Sequence, residues 1–314
     1  ILPKGRLAIE KDTDLVRVTG DGFAVSFSRD LGEITSLIYN GKTVMKNGGA
    51  LNVWRAPVDN DRPWKKKWAK AGLDNLVREI EDFRVVRQGN RVIIRISTRW
   101  KGLEGCGFVQ DCTYAVMPNG CIEAANRIKP FGNVPEPMAR VGVVMKVPKG
   151  YENVVWYGRG PHENYPDRKQ GADVGVYGGR VDEQYVPYIK PQECGSRQDV
   201  RWVALLDGRM AHGLMIEAKD HLLAFSALHY TAKELASKRH AHELVRSDEI
   251  TLCIDHVQNG LGNGSCGLKP TELLLSEYKV RVKWYAFRYV LCWPGYRAKA
   301  ADKSAIQRQS VRQP

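Results

Sequence analysis

No stretch of this 314-residue chain approaches the ~20 apolar residues that a bilayer-spanning helix needs. The start also lacks a basic segment followed by an apolar one and a cleavage site, so the sequence as given carries no address label. Because it opens on Ile1 rather than Met, it is expected to be a mature or excised piece. Cysteine is sparse, odd in number at seven and never spaced Cys-x-x-Cys, which argues against a zinc ribbon or a disulfide framework. Most of these thiols are expected to be reduced and buried as small hydrophobes. No repeat of fixed period appears, no Gly/Ser- or Pro-rich linker divides the chain, and helical periodicity is rare.

Charge is plentiful but not clustered. A formal net charge of +13 would point to nucleic acid if Lys and Arg formed one basic surface. Instead they are spread out, often alternating with apolar residues as in Arg281, Lys283 and Arg288, the pattern of solvent-facing strand positions, and no nucleic-acid partner is expected. The exceptions are Lys65, Lys66 and Lys67 and the segment from 297 to 314, a basic polar tail read as a flexible end. A hydrophobic content of 43% with 26% charged residues is ordinary for a globular chain. Residues 1–296 are therefore expected to form one large domain, with a subdivision near 150 left unmarked by composition.

What the sequence does contain is short period-2 segments punctuated by turns. Residues 34–39 run into Asn40-Gly41, a strong hairpin signal. A strand over 91–97 follows Gly89-Asn90, and strands near 108–116 and 121–129 flank Pro118-Asn119-Gly120. Segments 201–206 and 212–216 flank Asp207-Gly208, and 275–291 is expected to set Tyr278, Val280, Val282 and Trp284 against Lys279, Arg281 and Lys283. Helices are expected only at 64–76, with Trp64, Trp68 and Ala71 on one stripe, and at 231–245. The fold class read from this pattern is all-β, a large antiparallel sandwich.

Residues 158–168, Gly-Arg-Gly-Pro-His-Glu-Asn-Tyr-Pro-Asp-Arg, pack five ionisable side chains between rigid prolines, a loop built to hold polar groups still. By itself this run reads either as a ligand or interface loop or as a stiff connector. Its sequence resembles the corresponding run in the C-terminal domain of family 2 β-galactosidases. Four other segments agree in order: 54–61 (Trp-Arg-Ala-Pro-Val-Asp-Asn-Asp), 68–72 (Trp-Ala-Lys-Ala-Gly), 186–195 (Val-Pro-Tyr-Ile-Lys-Pro-Gln-Glu-Cys-Gly) and 260–267 (Gly-Leu-Gly-Asn-Gly-Ser-Cys-Gly).

The resemblance implies a supersandwich similar to that of galactose mutarotases, in an enzyme that hydrolyses terminal β-galactosides with retention. Such chemistry needs two carboxyl groups about 5 Å apart. In the family the acid/base Glu follows an Asn on a barrel strand; this chain has no Asn-Glu dipeptide and no alternating βα pattern, so no catalytic residue is expected here. The implied role is to lend rim loops to an active site in a separate catalytic barrel domain. One such loop follows Asp59, Asn60 and Asp61, which would accept sugar hydroxyls or hold the loop to the barrel, and maps to Arg62, Pro63, Trp64 and Lys65; it is several residues shorter here than in the best-known member. The three residues from Asp59 to Asp61 read equally well as a turn capping the helix near Trp64. The second rim element is the glycine-rich segment with Asn263, where the best-known member carries a Trp that stacks beneath the sugar and Cys266 takes roughly that place here after a one-residue gap. Its Gly-x-Gly-x-Gly spacing lacks the βαβ unit of a dinucleotide site.

Arg55, His162, Glu163, Asp167, Arg168 and Glu193 are candidates for a sugar pocket or an interdomain ion-pair cluster, with Tyr165, Tyr188 and Arg197 beside them. No compact His/Asp/Glu cluster suggests a cofactor in this chain; magnesium or sodium would belong with the barrel of the full-length enzyme. The resemblance further implies a galactoside substrate, a homo-oligomeric whole enzyme, no membrane partner and a bacterial cytoplasmic or periplasmic setting. Two readings from other classes remain: a free-standing carbohydrate-binding module, and an aldose epimerase, which would need a Glu base facing a His acid among His162, His229, Glu163 and Glu193.

Overall fold

The computed structural model describes residues 5–264 and 274–295. The expected tail from 297 to 314, with its boundary, and Cys266 lie outside the described residues. The first strands are β1 (Ala8–Lys11), β2 (Leu15–Gly20), β3 (Phe23–Ser28), β4 (Glu33–Tyr39), β5 (Lys42–Met45) and β6 (Asn47–Asn52). After helix α1 (Arg62–Lys70) come β7 (Val77–Gln88), β8 (Arg91–Lys101), β9 (Gly107–Val116), β10 (Ile122–Phe131) and β11 (Arg140–Val147). Next are β12 (Asn153–Gly160), β13 (Asp173–Arg180), β14 (Arg197–Val200), β15 (Trp202–Leu206), β16 (Gly213–Ala218) and β17 (Leu223–Leu228). Helix α2 (Ala232–Ser237), β18 (Ile250–Gln258) and β19 (Tyr285–Cys292) complete the order.

All the pairings are antiparallel, in two sheets. One runs β1-β2-β3-β4-β6-β11-β18-β17-β14, with β5 paired to β4; the other runs β13-β12-β15-β16-β19-β10-β9-β8-β7. The inner faces of both sheets meet in one core that includes Phe27, Leu37, Ile94, Phe108, Tyr114, Val143, Ile254 and Phe287. This is the expected all-β sandwich. Alternation sets the faces: Val92, Ile94 and Ile96 on β8 are buried while Arg91 and Arg95 are not. The core also encloses Gln110 and Asn126. Gln110 receives Trp100 Nε1–H at 3.0 Å and donates to the Gly49 carbonyl at 2.9 Å and to Asn126 Oδ1 at 3.1 Å, so its amide is satisfied within the sheet interior.

The hairpin expected at Asn40-Gly41 is present, with φ of 49° and 75° at the two residues and Tyr39 paired to Lys42. The stripe of Trp64, Trp68 and Ala71 is buried as expected, and Trp68 Nε1–H donates to the Pro137 carbonyl at 2.8 Å. Three expectations are corrected. Helix α1 stops at Lys70 rather than near 76, because Gly72 turns to φ 66° and the Leu73 N–H returns to the Trp68 carbonyl. The expected helix over 231–245 reaches only Ser237. Thr231 caps its start by accepting the Glu234 N–H, but Lys238 is extended, and Glu243 takes the Arg239 and His240 N–H groups that a continuing helix would have used. The strand expected from 275 begins only at Tyr285. Its alternating buried positions Tyr285, Phe287, Tyr289 and Leu291, followed by buried Cys292, are one residue out of phase with the expected series, and Trp284 is 63% exposed.

Candidate functional site

Two of the distinctive sequence runs leave neighbouring strands of one sheet, and a third follows a strand of the other. β6, β11 and β18 are adjacent, and the register Gly142↔Asn52 and Arg140↔Gln258 brings the end of β6, the start of β11 and the end of β18 to one edge. Segments 54–61 and 259–264 therefore emerge side by side. Residues 158–168, following β12, fold against them.

Arg55 is the centre of this edge. It is fully buried, and its guanidinium donates to both Asp61 oxygens, Nε to Oδ2 at 3.0 Å and Nη2 to Oδ1 at 2.8 Å. It also donates to the carbonyls of Asn259 (2.8 Å) and Gly260 (3.0 Å). Burial opposes its charge, but Asp61 outweighs that and raises the Arg55 pKa. Asp61, 1% exposed, also accepts the Val58 N–H at 2.9 Å. It makes no side-chain cap to helix α1; it binds the turn before the helix. Asn60 donates to the Leu261 carbonyl at 3.0 Å.

The 158–168 loop grips the same glycine-rich segment from its other side. Asp167 accepts the backbone N–H groups of Leu261 (2.9 Å) and Gly262 (2.7 Å), and Arg168 donates to the Gly262 carbonyl at 3.2 Å. Gly260 is required here, since a Cβ would lie 2.6 Å from the Asp167 carboxyl carbon. Glu163 faces the 186–195 segment, accepting the Gly195 N–H at 2.7 Å and the hydroxyls of Tyr188 and Tyr165. His162 is exposed and stands apart from both clamps.

A second layer lies beneath. Arg140, 1% exposed, donates to Glu193 and lies 3.4 Å from Asp255. Gln258 donates to Glu193 at 3.1 Å and accepts Ser196 Oγ–H at 3.1 Å, and the Glu193 N–H bonds the Ala56 carbonyl, tying this layer to the Arg55 turn. Burial pushes the Asp255 carboxyl up to about 7, against the pull of Arg140. Burial also works against the Arg140 charge, yet Asp255 and Glu193 together hold its pKa above the ordinary value. One guanidinium thus serves two carboxyls. Arg197 lies over the Trp156 ring, 5.2 Å from its centroid, and donates to Gln184; burial lowers its pKa to about 10.

These contacts sort the expected site residues. Arg55, Asp61, Asp167, Glu163 and Glu193 are inward members of a polar clamp. Trp64 is 8% exposed and lies under Lys279, whose ammonium is 6.0 Å from the indole centroid. Asp59, Arg62, Asn263 and Arg168 are exposed, with Asn60 half-buried between the two groups. A His–Glu pair drawn from His162, His229, Glu163 and Glu193 does not form: His229 instead contacts Glu152, Asp182 and Arg246. Sequence reasoning missed Arg140, Asp255 and Asn259. A lone charge at 140 or 255 inside an otherwise apolar run was the available signal, because an isolated charge on a buried strand must have a partner.

A family model described as the beta galactosidase small chain matches residues 19–291. The chain belongs to that family. A β-galactosidase of Priestia megaterium is 31% identical over 261 residues, 82% of this chain and 24% of the relative, and one of Vibrio cholerae is 31% identical over 264 residues, 81% of this chain and 25% of the relative. An Arthrobacter β-galactosidase is 34% identical, covering 70% of this chain and 24% of its own length. This small-chain member thus spans about a quarter of the length of the curated relatives it matches. A solved galactose 1-epimerase from Lactobacillus acidophilus aligns with 92% of this chain and 98% of its own at a TM-score of 0.46 and 7% identity. Among the described residues no group of three or more His, Cys, Asp or Glu side chains is placed to hold a metal ion, and no helix is long and apolar enough to cross a membrane.

Proposed function

We propose that this chain is the C-terminal part of a β-galactosidase and that it lends rim loops to an active site whose catalytic carboxylates lie in the rest of the protein. The observation that carries the reading is the convergence of the 54–62, 158–168 and 259–264 runs on the Arg55–Asp61 clamp. A clamp of this kind fixes loop backbones without moving parts, which suits a surface that must meet a substrate in one geometry. In this reading Asp59, Asn60, Arg62 and Asn263 face the galactoside or the neighbouring catalytic domain, while Arg55, Asp61, Asp167 and Glu163 hold them in place. Glu193 and Asp255 are the nearest thing to a carboxylate pair, but both are buried against Arg140 and closed to a sugar. The pair that retention requires, about 5 Å apart, is therefore assigned to the rest of the protein, as is any magnesium or sodium that the whole enzyme uses. Oligomerisation is likewise assigned to the whole enzyme.

The test is hydrolysis of a chromogenic β-galactoside by this chain alone, by the remaining part of the enzyme alone and by the two together. Turnover is expected only when both are present, with Asn60→Ala and Arg62→Ala raising KM in the assembled enzyme. Turnover by this chain alone that disappears in Glu163→Gln or Glu193→Gln would overturn the proposal.

A further inference from the structure

Apart from the rim, the sandwich contains a cavity of about 250 Å³ lined by Lys169, Asp199, His256, Glu277, Lys279 and Tyr285 among others. It lies next to the glycine-rich segment, since the carbonyl of Tyr278, another lining residue, accepts the Gly260 N–H, but none of the exposed rim side chains lines it. The volume is that of roughly eight waters, room for one pyranose ring.

The position of His256 follows from an irregularity in β18. Val141 pairs with Val257 and Gly142 with Asp255, so His256 is skipped as a bulge residue and leaves the alternation of its strand. Its ring stacks on Phe287, with centroids 5.5 Å apart and planes 5° from parallel, and meets Tyr285 edge-on at 5.8 Å. Burial, with smaller contributions from His221 and Lys283, lowers its pKa to about 4, so the imidazole is neutral near pH 7. Its Nδ1 is buried without a hydrogen-bond partner among the described residues. That nitrogen is closed to solvent and to a ligand alike; what a ligand hydroxyl can meet is the remaining edge of the half-buried ring that lines the cavity.

The rest of the lining narrows the ligand. Lys169 is paired with Asp199 at 2.7 Å, and Glu277 and Lys279 add one charge of each sign, so the formal charges of the wall balance. Leu223, Val280 and Tyr285 supply an apolar floor. A ligand with one apolar face and hydroxyls around its edge matches this arrangement, whereas an anion or cation would meet a charge of its own sign. We propose that the cavity beside His256 is a second binding site, for a neutral polyhydroxylated ring of monosaccharide size. The inference goes beyond the rim reading and does not depend on it.

The experiment is saturation-transfer NMR on the full 314-residue chain with D-galactose and D-glucose as probes, in the wild type, His256→Phe, Glu277→Gln and the rim variant Asn60→Ala. Thermal melting of each variant reports its folding. Phe at 256 keeps the stack on Phe287 and removes the ring nitrogens. Saturation transfer is expected in the wild type, with affinity about ten-fold weaker in His256→Phe and unchanged in Asn60→Ala. If His256→Phe fails to fold, Glu277→Gln is the deciding variant, and it is expected to weaken binding with an unaltered melt. Absence of transfer from both sugars, or wild-type affinity in the folded variants, would overturn the proposal. Loss in Asn60→Ala alone would also overturn it, moving the sugar to the rim and leaving the preceding function intact.

Discussion

Asp255→Asn separates shape from charge at a buried ionisable position beneath the clamp. The native carboxyl is 2% exposed, lies 3.4 Å from Arg140 through Oδ2, and leaves Oδ1 without a partner among the described residues. Its pKa of about 7 in the folded chain compares with 3.8 for the ordinary group. A raised acid binds its proton more tightly in the folded than in the unfolded state. Its stabilisation is complete below the ordinary carboxylate value and is lost as pH rises through about 7. From about pH 5 to that midpoint is roughly two pH units, each worth about 1.4 kcal/mol, so this group is expected to withdraw about 3 kcal/mol by about pH 8. Asn has nearly the same shape and no titration, so the variant should gain on the wild type by that amount across the interval. Urea unfolding of both proteins at several pH values gives the difference directly, and other titrating groups cancel in it. A difference that stays flat, or that turns in favour of the wild type as pH rises, would refute the reasoning. It would mean that Asp255 stays ionised beside Arg140 throughout.

Two further outcomes follow from the same edge of the sheet. Arg55→Met leaves Asp61 without its bidentate partner and two backbone carbonyls without their donor, and should cost about 3–5 kcal/mol in chemical denaturation; in a double-mutant cycle with Asp61→Asn the combined loss should fall short of the sum, and simple additivity would show that the pair is not coupled. Gly142→Ala places a Cβ 2.3 Å from Asp255 Oδ1 and 2.4 Å from the Ile254 carbonyl, so a loss of about 1–3 kcal/mol is expected, and a melting temperature equal to the wild type would show that β11 and β18 have room to part.

Family membership, the all-β class and most of the turns were legible in the sequence because each rests on local chemistry. Asn40-Gly41 needs only its own backbone preferences to make a hairpin, and the prolines and glycines of 158–168 announce a rigid loop wherever it is placed. The identity of the rim runs was local too. Their roles were not: Asp59 and Asp61 are two residues apart and chemically alike, yet one is exposed and the other is 1% exposed beneath Arg55. Which of them faces outward depends on carbonyls supplied from Asn259 and Gly260, about 200 positions away in the chain. The same holds for Arg140, Glu193 and Asp255, brought together by strand pairing and a covering loop, and for His256, turned out of its strand by a one-residue register break. The phase of β19 was misread for a related reason, since the apolar series changes phase between Trp284 and Tyr285 and only pairing with the rest of the sheet shows where the strand begins. Local preference determined the strands, turns and family signature of this protein. The partners of its buried charges were decided only by the tertiary structure, because electrostatics and packing act between residues that the sequence keeps far apart.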